Sequence, residues 1–269
     1  MATRPHVLLL GGHGKVSLFL TPLLLAKSYA VTSVIRNPSQ QDEILALGKN
    51  QPGKIDVLIE SLDDVKEASQ AQKVIDRVKP NYVVWSAGAG GKGGKERTNA
   101  VDCVAAKTYI SAAIATPTVT KFLMVSYIAS RRGYPSWWSP DDRAAADKVN
   151  TEILPAYYQA KVAADEHLAA LAHKRGKGFQ AINLRPGTLK DGPATGKVNL
   201  GKTSARGDVT REDVARVAAA LLERDNVSGW YDLLQGEEEI EPAIDRLAKE
   251  GWDAMQDGED LDRIYALAN

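Results

Sequence analysis

The sequence predicts an α/β protein: a doubly wound parallel sheet of about seven strands with helices on both faces. Three observations predict it. Seven short apolar runs recur along the chain, helix-length stretches separate them, and most runs are apolar throughout instead of alternating. A strand covered by helices on both faces has no polar side, whereas a half-exposed strand alternates. Strands joined through helices cross over right-handed and therefore lie parallel.

The elements follow in order. The first run is 6–10 (HVLLL), and a helix is expected over 15–28. Next come 31–35 (VTSVI) and 55–59 (IDVLI), then a helix over 63–78 with Asp63 as its N-cap. The run 82–86 (YVVWS), a helix over 96–115 and the run 121–126 (KFLMVS) complete the central part. A helix over 155–175 precedes 179–184 (FQAINL), and a helix over 211–223 precedes 230–234 (WYDLL). Thr210 is the N-cap expected for the last of these helices; with Asp213 it has capping-box spacing, Asp standing in the Glu place. No internal repeat of fixed period is present.

Two segments break the rhythm. Residues 131–152 are polar and carry Trp137 and Trp138; residues 187–207 are rich in Gly, Lys and Thr. Long loops in a compact domain are often lids or binding loops, so both are expected to shape a pocket, with the two tryptophans capping it. Residues 1–235 read as one domain and 236–269 as an acidic amphipathic helix with a weakly ordered end. That tail carries eleven Asp/Glu against three Lys/Arg, a net −8 that leaves +8 on the remainder.

Composition bounds the function. The 269 residues hold 34 Lys+Arg and 34 Asp+Glu, and this balance argues against nucleic acid as the main partner. No run approaches the roughly 18 apolar residues of a membrane span. Nothing before residue 6 reads as a signal peptide. A single cysteine, Cys103, excludes an internal disulfide framework and a Cys-based zinc site; it points to a reducing, cytoplasmic setting and reads as buried and inert. His167 and His173 lack an evident ligand partner, and no metal is expected.

After Leu10 the chain reads Gly-Gly-His-Gly-Lys-Val-Ser before a helix begins. Gly11, Gly14 and Ser17 occupy a G-x-x-G-x-x-small pattern; Gly12, Gly14 and Ser17 satisfy G-x-G-x-x-small. A strand that turns sharply into a helix, and lets its backbone approach a pyrophosphate, needs positions without a β-carbon. The helix N-terminus then faces the anion. Ser17 in place of a third glycine implies slightly looser packing. His13, inside the turn, is either a cofactor contact or a solvent-facing histidine.

Arg36 follows the second strand where a site for NAD usually carries Asp or Glu. Its guanidinium suits a 2′-phosphate, with Lys15 as a second candidate cation, so NADP is expected ahead of NAD. Two surface cations are the alternative. Leu62 is either a cover for adenine or a core leucine. Residues 87–94 (AGAGGKGG) follow the fourth strand and are expected near the cofactor phosphates.

Tyr157 and Lys161 are four apart and share a helical face. A nearby ammonium lowers a phenol's pKa, and such a tyrosine can exchange a proton with a reacting oxygen. Ser126 ends the fifth strand, where ligands of such sheets collect, and its hydroxyl could polarise the same oxygen. Tyr158 points elsewhere and reads as packing.

Together, GGHGKVS, VVWSAGAG, Ser126, Tyr157-x-x-x-Lys161 and the Leu-Arg-Pro-Gly ending in Pro186 and Gly187 resemble the short-chain dehydrogenase/reductase superfamily. The likeness spans about residues 6–235 and is strongest to the atypical, NmrA-like and epimerase-like NAD(P)H-binding branch. It implies a Rossmann fold and a nicotinamide cofactor held by Gly11, Gly12, His13, Gly14, Lys15, Val16, Arg36, Leu62, Ala87, Gly88, Pro186 and Gly187. It also implies Tyr157 as acid/base, Lys161 binding the ribose and tuning Tyr157, and Ser126 orienting a small-molecule substrate. Three functions stay open: an NADP-dependent oxidoreductase of a small carbonyl or alcohol, an epimerase or dehydratase, and a non-enzymatic NADPH-binding sensor. The chain is expected as a monomer or a homodimer paired through the helices 96–115 and 155–175.

Overall fold

A computed structural model of the chain describes residues 4–90 and 93–268. In chain order the strands are β1 His6–Leu10, β2 Ala30–Ile35, β3 Lys54–Ile59, β4 Tyr82–Trp85, β5 Lys121–Val125 and β6 Gln180–Pro186. They continue with β7 Thr188–Lys190, β8 Lys197–Gly201, β9 Asp208–Thr210, β10 Gly229–Gln235 and β11 Glu238–Glu239. The main sheet runs β3-β2-β1-β4-β5-β6-β10-β8-β11. From β3 to β10 every neighbouring pair is parallel; β8 joins β10 antiparallel. The doubly wound parallel sheet expected from the seven apolar runs is therefore the fold, and each run is a strand.

The helices are α1 Lys15–Ala26, α2 Gln41–Ala46, α3 Ala68–Val78, α4 Gly94–Thr98 and α5 Ala106–Ala115. They continue with α6 Pro140–Lys148, α7 Pro155–Arg175, α8 Arg211–Glu223, α9 Ile240–Glu250 and α10 Leu261–Ala266. The run of β1 shows why both faces must be apolar. Val7 and Leu9 pack with Leu20 and Leu24 of α1 and Val217 of α8. Leu8 and Leu10 pack on the opposite face with Ile75 of α3, Ile110 of α5 and Leu168 of α7. All four β1 residues have no exposed surface, and full burial of such a side chain is worth about 1.5–3 kcal/mol.

Four local expectations are corrected. Residues 131–152 are not a loop throughout: Ser139 caps α6, its side chain and that of Asp142 forming a reciprocal capping box, with Pro140 in the first turn. Residues 187–207 hold β7 and β8, and β8 alternates, burying Val198 and Leu200. Asp63 lies in a short 3₁₀ turn, and Glu67 caps α3 through a box with Gln70. The tail carries a second helix, α10, and it packs: Ile244 and Leu247 join the core beside α8, and Ile264 is fully buried. Thr210 does cap α8, accepting from the Asp213 N–H, but the Asp213 carboxylate turns to the Thr195 and Gly196 amides instead of closing the box.

Connections from β1 lead to β2 and β3 on one side, and β4, β5 and β6 lie on the other. A crevice therefore opens between the carboxyl ends of β1 and β4, the place where ligands of open α/β sheets bind.

Candidate active site

The turn after β1 forms one wall of that crevice. Gly11 has φ +86°, and a β-carbon there would lie 2.6 Å from the Ala87 backbone. Gly12 donates its N–H to the Val34 carbonyl at 2.9 Å, and a β-carbon on it would sit 1.8 Å from Ser33 Oγ. Its need for glycine comes from β2, not from a ligand. Gly11 lines the crevice, and so does Gly14. Gly14 precedes α1 with extended backbone and no side-chain cap, so the helix N-terminus and its positive dipole end stay open to an anion. Ser17 is fully buried, and its Oγ donates to the Gly11 carbonyl at 2.9 Å. The third small position does not loosen the packing as expected; its hydroxyl fastens the turn.

Two adjoining clefts share Gly14, Ser86, Ala87 and Gly88. The smaller, about 270 Å³, is flanked by His13, Arg36, Leu62, Asp63 and Arg97. There Asp63 bridges Arg36 (2.9 Å) and Arg97 (3.0 Å), and His13 Nε2 contacts Glu43 at 2.7 Å. The larger, about 770 Å³, runs from Lys15 and Val16 to Ser126 and Tyr157. Its rim carries Ile153 and Leu154, both exposed, together with Leu189.

Several expected contacts fall elsewhere. Lys15 does not stand beside Arg36; it pairs with Asp191 at 2.8 Å and lines the larger cleft. Pro186 and Gly187 line neither cleft. A β-carbon on Gly187 would lie 2.4 Å from Leu234 and 2.5 Å from the Gly207 carbonyl, so packing of β10 explains the glycine. Trp137 and Trp138 do not cap the cleft: both indoles donate to the Thr203 carbonyl at 3.0 Å, behind the site. Of 87–94, Ala87, Gly88, Ala89, Gly90 and Gly94 line the larger cleft, while 91 and 92 lie outside the described residues.

Ser126 and Tyr157 reach the larger cleft together, from the end of β5 and the first turn of α7. Lys161 does not. It is buried, and its Nζ donates to the Val125 carbonyl at 3.0 Å. Its charge acts on Asp102, whose carboxyl is pushed up by burial and pulled back by Lys161, by the Ala89 N–H and by Arg97. Tyr157 packs against the Tyr127 ring, centroids 5.1 Å apart. Burial, then the Asp102 and Asp165 carboxylates, push the Tyr157 phenol well above its ordinary range. The lowering expected from Lys161 is not found: the shift runs upward.

Sequence reasoning missed the groups behind the serine. Ser126 Oγ and Ser130 Oγ each donate to Asp165 Oδ2 at 2.6 Å. Arg185 lies 3.5 Å from the same oxygen and also bonds Asp232, which binds Arg131 in turn. The Leu-Arg-Pro-Gly sequence held the signal for Arg185; nothing near Asp165 did, since its partners are 35 and 39 residues away. Tyr158 donates to the Arg131 carbonyl and Tyr127 to Asn150, both as packing. Cys103 is only half-buried, its thiol raised by burial.

Residues 11–225 match the model of a family described as NAD(P)H-binding. The chain is 33% identical over 239 residues to a UPF0659 protein of Schizosaccharomyces pombe, covering 87% of this chain and 91% of the relative. It is 30% identical over 244 residues to YhfK of Bacillus subtilis, named as an uncharacterized sugar epimerase, covering 90% and 99% of the two chains. Among solved structures, a Bacillus halodurans protein named for the NAD-dependent epimerase/dehydratases superposes with TM-score 0.71 at 25% identity, covering 90% and 100%. ChuY of Escherichia coli, titled an anaerobillin reductase, shares the fold with TM-score 0.62 at 22% identity, covering 87% and 98%.

Proposed function

This chain belongs to the NAD(P)H-binding family, in the atypical branch of the short-chain dehydrogenase/reductases, and from that premise we propose that it is an NADP-dependent reductase of a small carbonyl compound. One observation carries the reading: the clefts form a single trough, with Arg36 and Leu62 at one end, Gly14 at its middle, and Ser126 and Tyr157 at the other. A dinucleotide fits the residues present. The uncapped α1 N-terminus and Gly14 would receive its pyrophosphate, Leu62 its adenine, and Arg36 a 2′-phosphate after parting from Asp63. When bound, a reduced nicotinamide supplies two electrons and one hydrogen to a carbonyl carbon.

The protein's own contribution is to the oxygen. Tyr157, protonated at neutral pH, gives its proton to the oxygen as negative charge develops there. The apolar rim of Ile153, Leu154 and Leu189 suits an apolar substrate body.

A second reading, an epimerase or dehydratase, draws on the names of YhfK and the Bacillus halodurans protein. It requires the same Tyr157, acting first as a base. Calorimetry with NADPH, NADH and their oxidised forms, followed by turnover of the Tyr157→Phe variant, tests both. Tight NADPH binding and a loss of roughly 10²–10⁴ in turnover support the reductase. Oxidised cofactor retained through purification supports the epimerase, and no binding of any form defeats both.

A further inference from the structure

Ser126 has a single proton, and the structure shows where it goes. Its Oγ donates to Asp165 Oδ2 at 2.6 Å, and Ser130 Oγ donates to the same oxygen at 2.6 Å. The direction follows from the inventory of donors: a carboxylate has only lone pairs, so each hydroxyl must supply the hydrogen. Asp165 is fully buried, with Arg185 Nη1 3.5 Å from the shared oxygen. Arg185 and Arg131 share Asp232, so two guanidinium groups and two carboxylates balance in the interior behind β5. A hydrogen bond to an ionised carboxylate in such surroundings outcompetes a neutral carbonyl for the same proton. Toward the cleft, Ser126 is left with lone pairs.

We propose that Asp165 is a positioning residue that fixes Ser126 as a hydrogen-bond acceptor, so that the substrate group meeting Ser126 is a hydroxyl beside the reacting carbonyl. The substrate class is then a hydroxylated carbonyl compound with an apolar body. This rests on the reductase reading of the cleft and departs from the role expected for Ser126 from sequence, polarisation of the carbonyl itself. The two hydroxyls of the site divide the work: Tyr157 alone donates to the reacting oxygen, and Ser126 receives the neighbouring hydroxyl. The Asp165 carboxylate holds the serine hydrogen. The spacing agrees, because Asp165 lies four residues after Lys161 and eight after Tyr157, on the buried side of α7.

The test compares 2-hydroxyacetophenone with propiophenone, which replaces the hydroxyl by a methyl group and keeps the shape. The NADPH-loaded protein is titrated with each ketone by calorimetry, and reduction is followed by loss of the nicotinamide absorbance. The wild type should favour the hydroxy ketone roughly tenfold in kcat/KM, the scale of one hydrogen bond. Ser126→Ala should bring the ratio to near one. Asp165→Asn, which keeps an acceptor but loses the charge, should lower the ratio, and Asp165→Glu should restore part of it. A merely structural Asp165 would weaken both ketones alike and leave the ratio unchanged. If the Asp165 variants do not fold, 2-methoxyacetophenone, which can accept but not donate, decides: an acceptor Ser126 should disfavour it against the hydroxy ketone, and equal kcat/KM for the two overturns the proposal. A wild-type ratio near one, a preference for propiophenone, or a ratio untouched by Ser126→Ala overturns the proposal. Failure of NADPH to bind defeats the reductase reading itself; NADPH binding with neither ketone bound or reduced overturns only the substrate class.

Discussion

Arg185 and Asp232 face each other in register on the neighbouring strands β6 and β10, Nε to Oδ1 at 3.0 Å, with neither side chain exposed. Arg131 reaches the same carboxylate with Nη2 at 2.5 Å from Oδ2. Each guanidinium also lies on an indole, Arg185 on Trp230 at 4.0 Å and Arg131 on Trp138 at 4.6 Å. Charges in such surroundings persist only when paired, and removing one partner of a buried pair costs about 3–5 kcal/mol. Asp232→Ala should lower unfolding stability by that amount in a denaturant titration. A loss under about 1 kcal/mol would show that water reaches the pair.

Two glycines of the first turn should separate folding from binding. Gly12→Ala puts a β-carbon 1.8 Å from Ser33 Oγ and should lower the melting temperature. Gly14→Ala meets the Gly11 carbonyl at 3.1 Å and otherwise only ordinary contacts, the Ser86 carbonyl at 3.5 Å and Ser17 Oγ at 3.7 Å, so the fold should hold while NADPH affinity falls, because the methyl group enters the trough. Melting curves with and without NADPH check the pair. Equal destabilisation by both substitutions would contradict the assignment.

Arg36 should decide the phosphate preference. Charge-assisted hydrogen bonds contribute about 1.5–3 kcal/mol, on the order of tenfold to a hundredfold in affinity. Arg36→Ala should cost NADPH that factor and leave NADH nearly unchanged. Calorimetry on both nucleotides tells the outcomes apart: equal losses would mean that Arg36 shapes the cleft without reading the phosphate.

His167 makes stability depend on pH. Burial, with Lys107 second, pushes its pKa down to about 4, and its Nε2 is bonded to Ser111 Oγ at 2.8 Å. Between about 4 and the ordinary value near 6.5, the unfolded chain binds a proton that the folded chain refuses. The contribution is therefore complete above that window and is lost as pH falls through it. Unfolding titrations at neutral and mildly acidic pH should show the decline, and His167→Gln should flatten it.

Much of this architecture is legible in the chain. β1 to β6 and β10 declare themselves as short, largely apolar runs, and α7 and α8 have the bounds that their periodicity predicts. The Gly-Gly-His-Gly turn, Ser126 and Tyr157 mark the trough. α6 and β8 escape notice because their signals are short: a Ser-Pro start in one, a single Val-x-Leu alternation in the other. Lys161 shows a deeper limit. Spacing of four places it beside Tyr157 along the helix, but packing decides depth, and it turns inward to the Val125 carbonyl. Asp165, Arg185, Arg131 and Asp232 are brought together from four separate elements, and no local pattern announces such a meeting.

The acidic tail returns to the segment next to Arg131. The Arg132 N–H donates to Glu259 and the Ser136 N–H to Asp257, each at 2.9 Å, and the Trp230 N–H donates to Asp253 at 2.8 Å. Gly133 lies so close to the Gly258 carbonyl that a β-carbon would be 1.6 Å from it. All of these tail residues are translated after every strand of the sheet. On the ribosome the β-α units can assemble as they emerge, yet the interior behind Ser126 stays unsealed until 253–263 arrive, so nascent chains paused short of that stretch should expose the arginine cluster to chaperones and proteases.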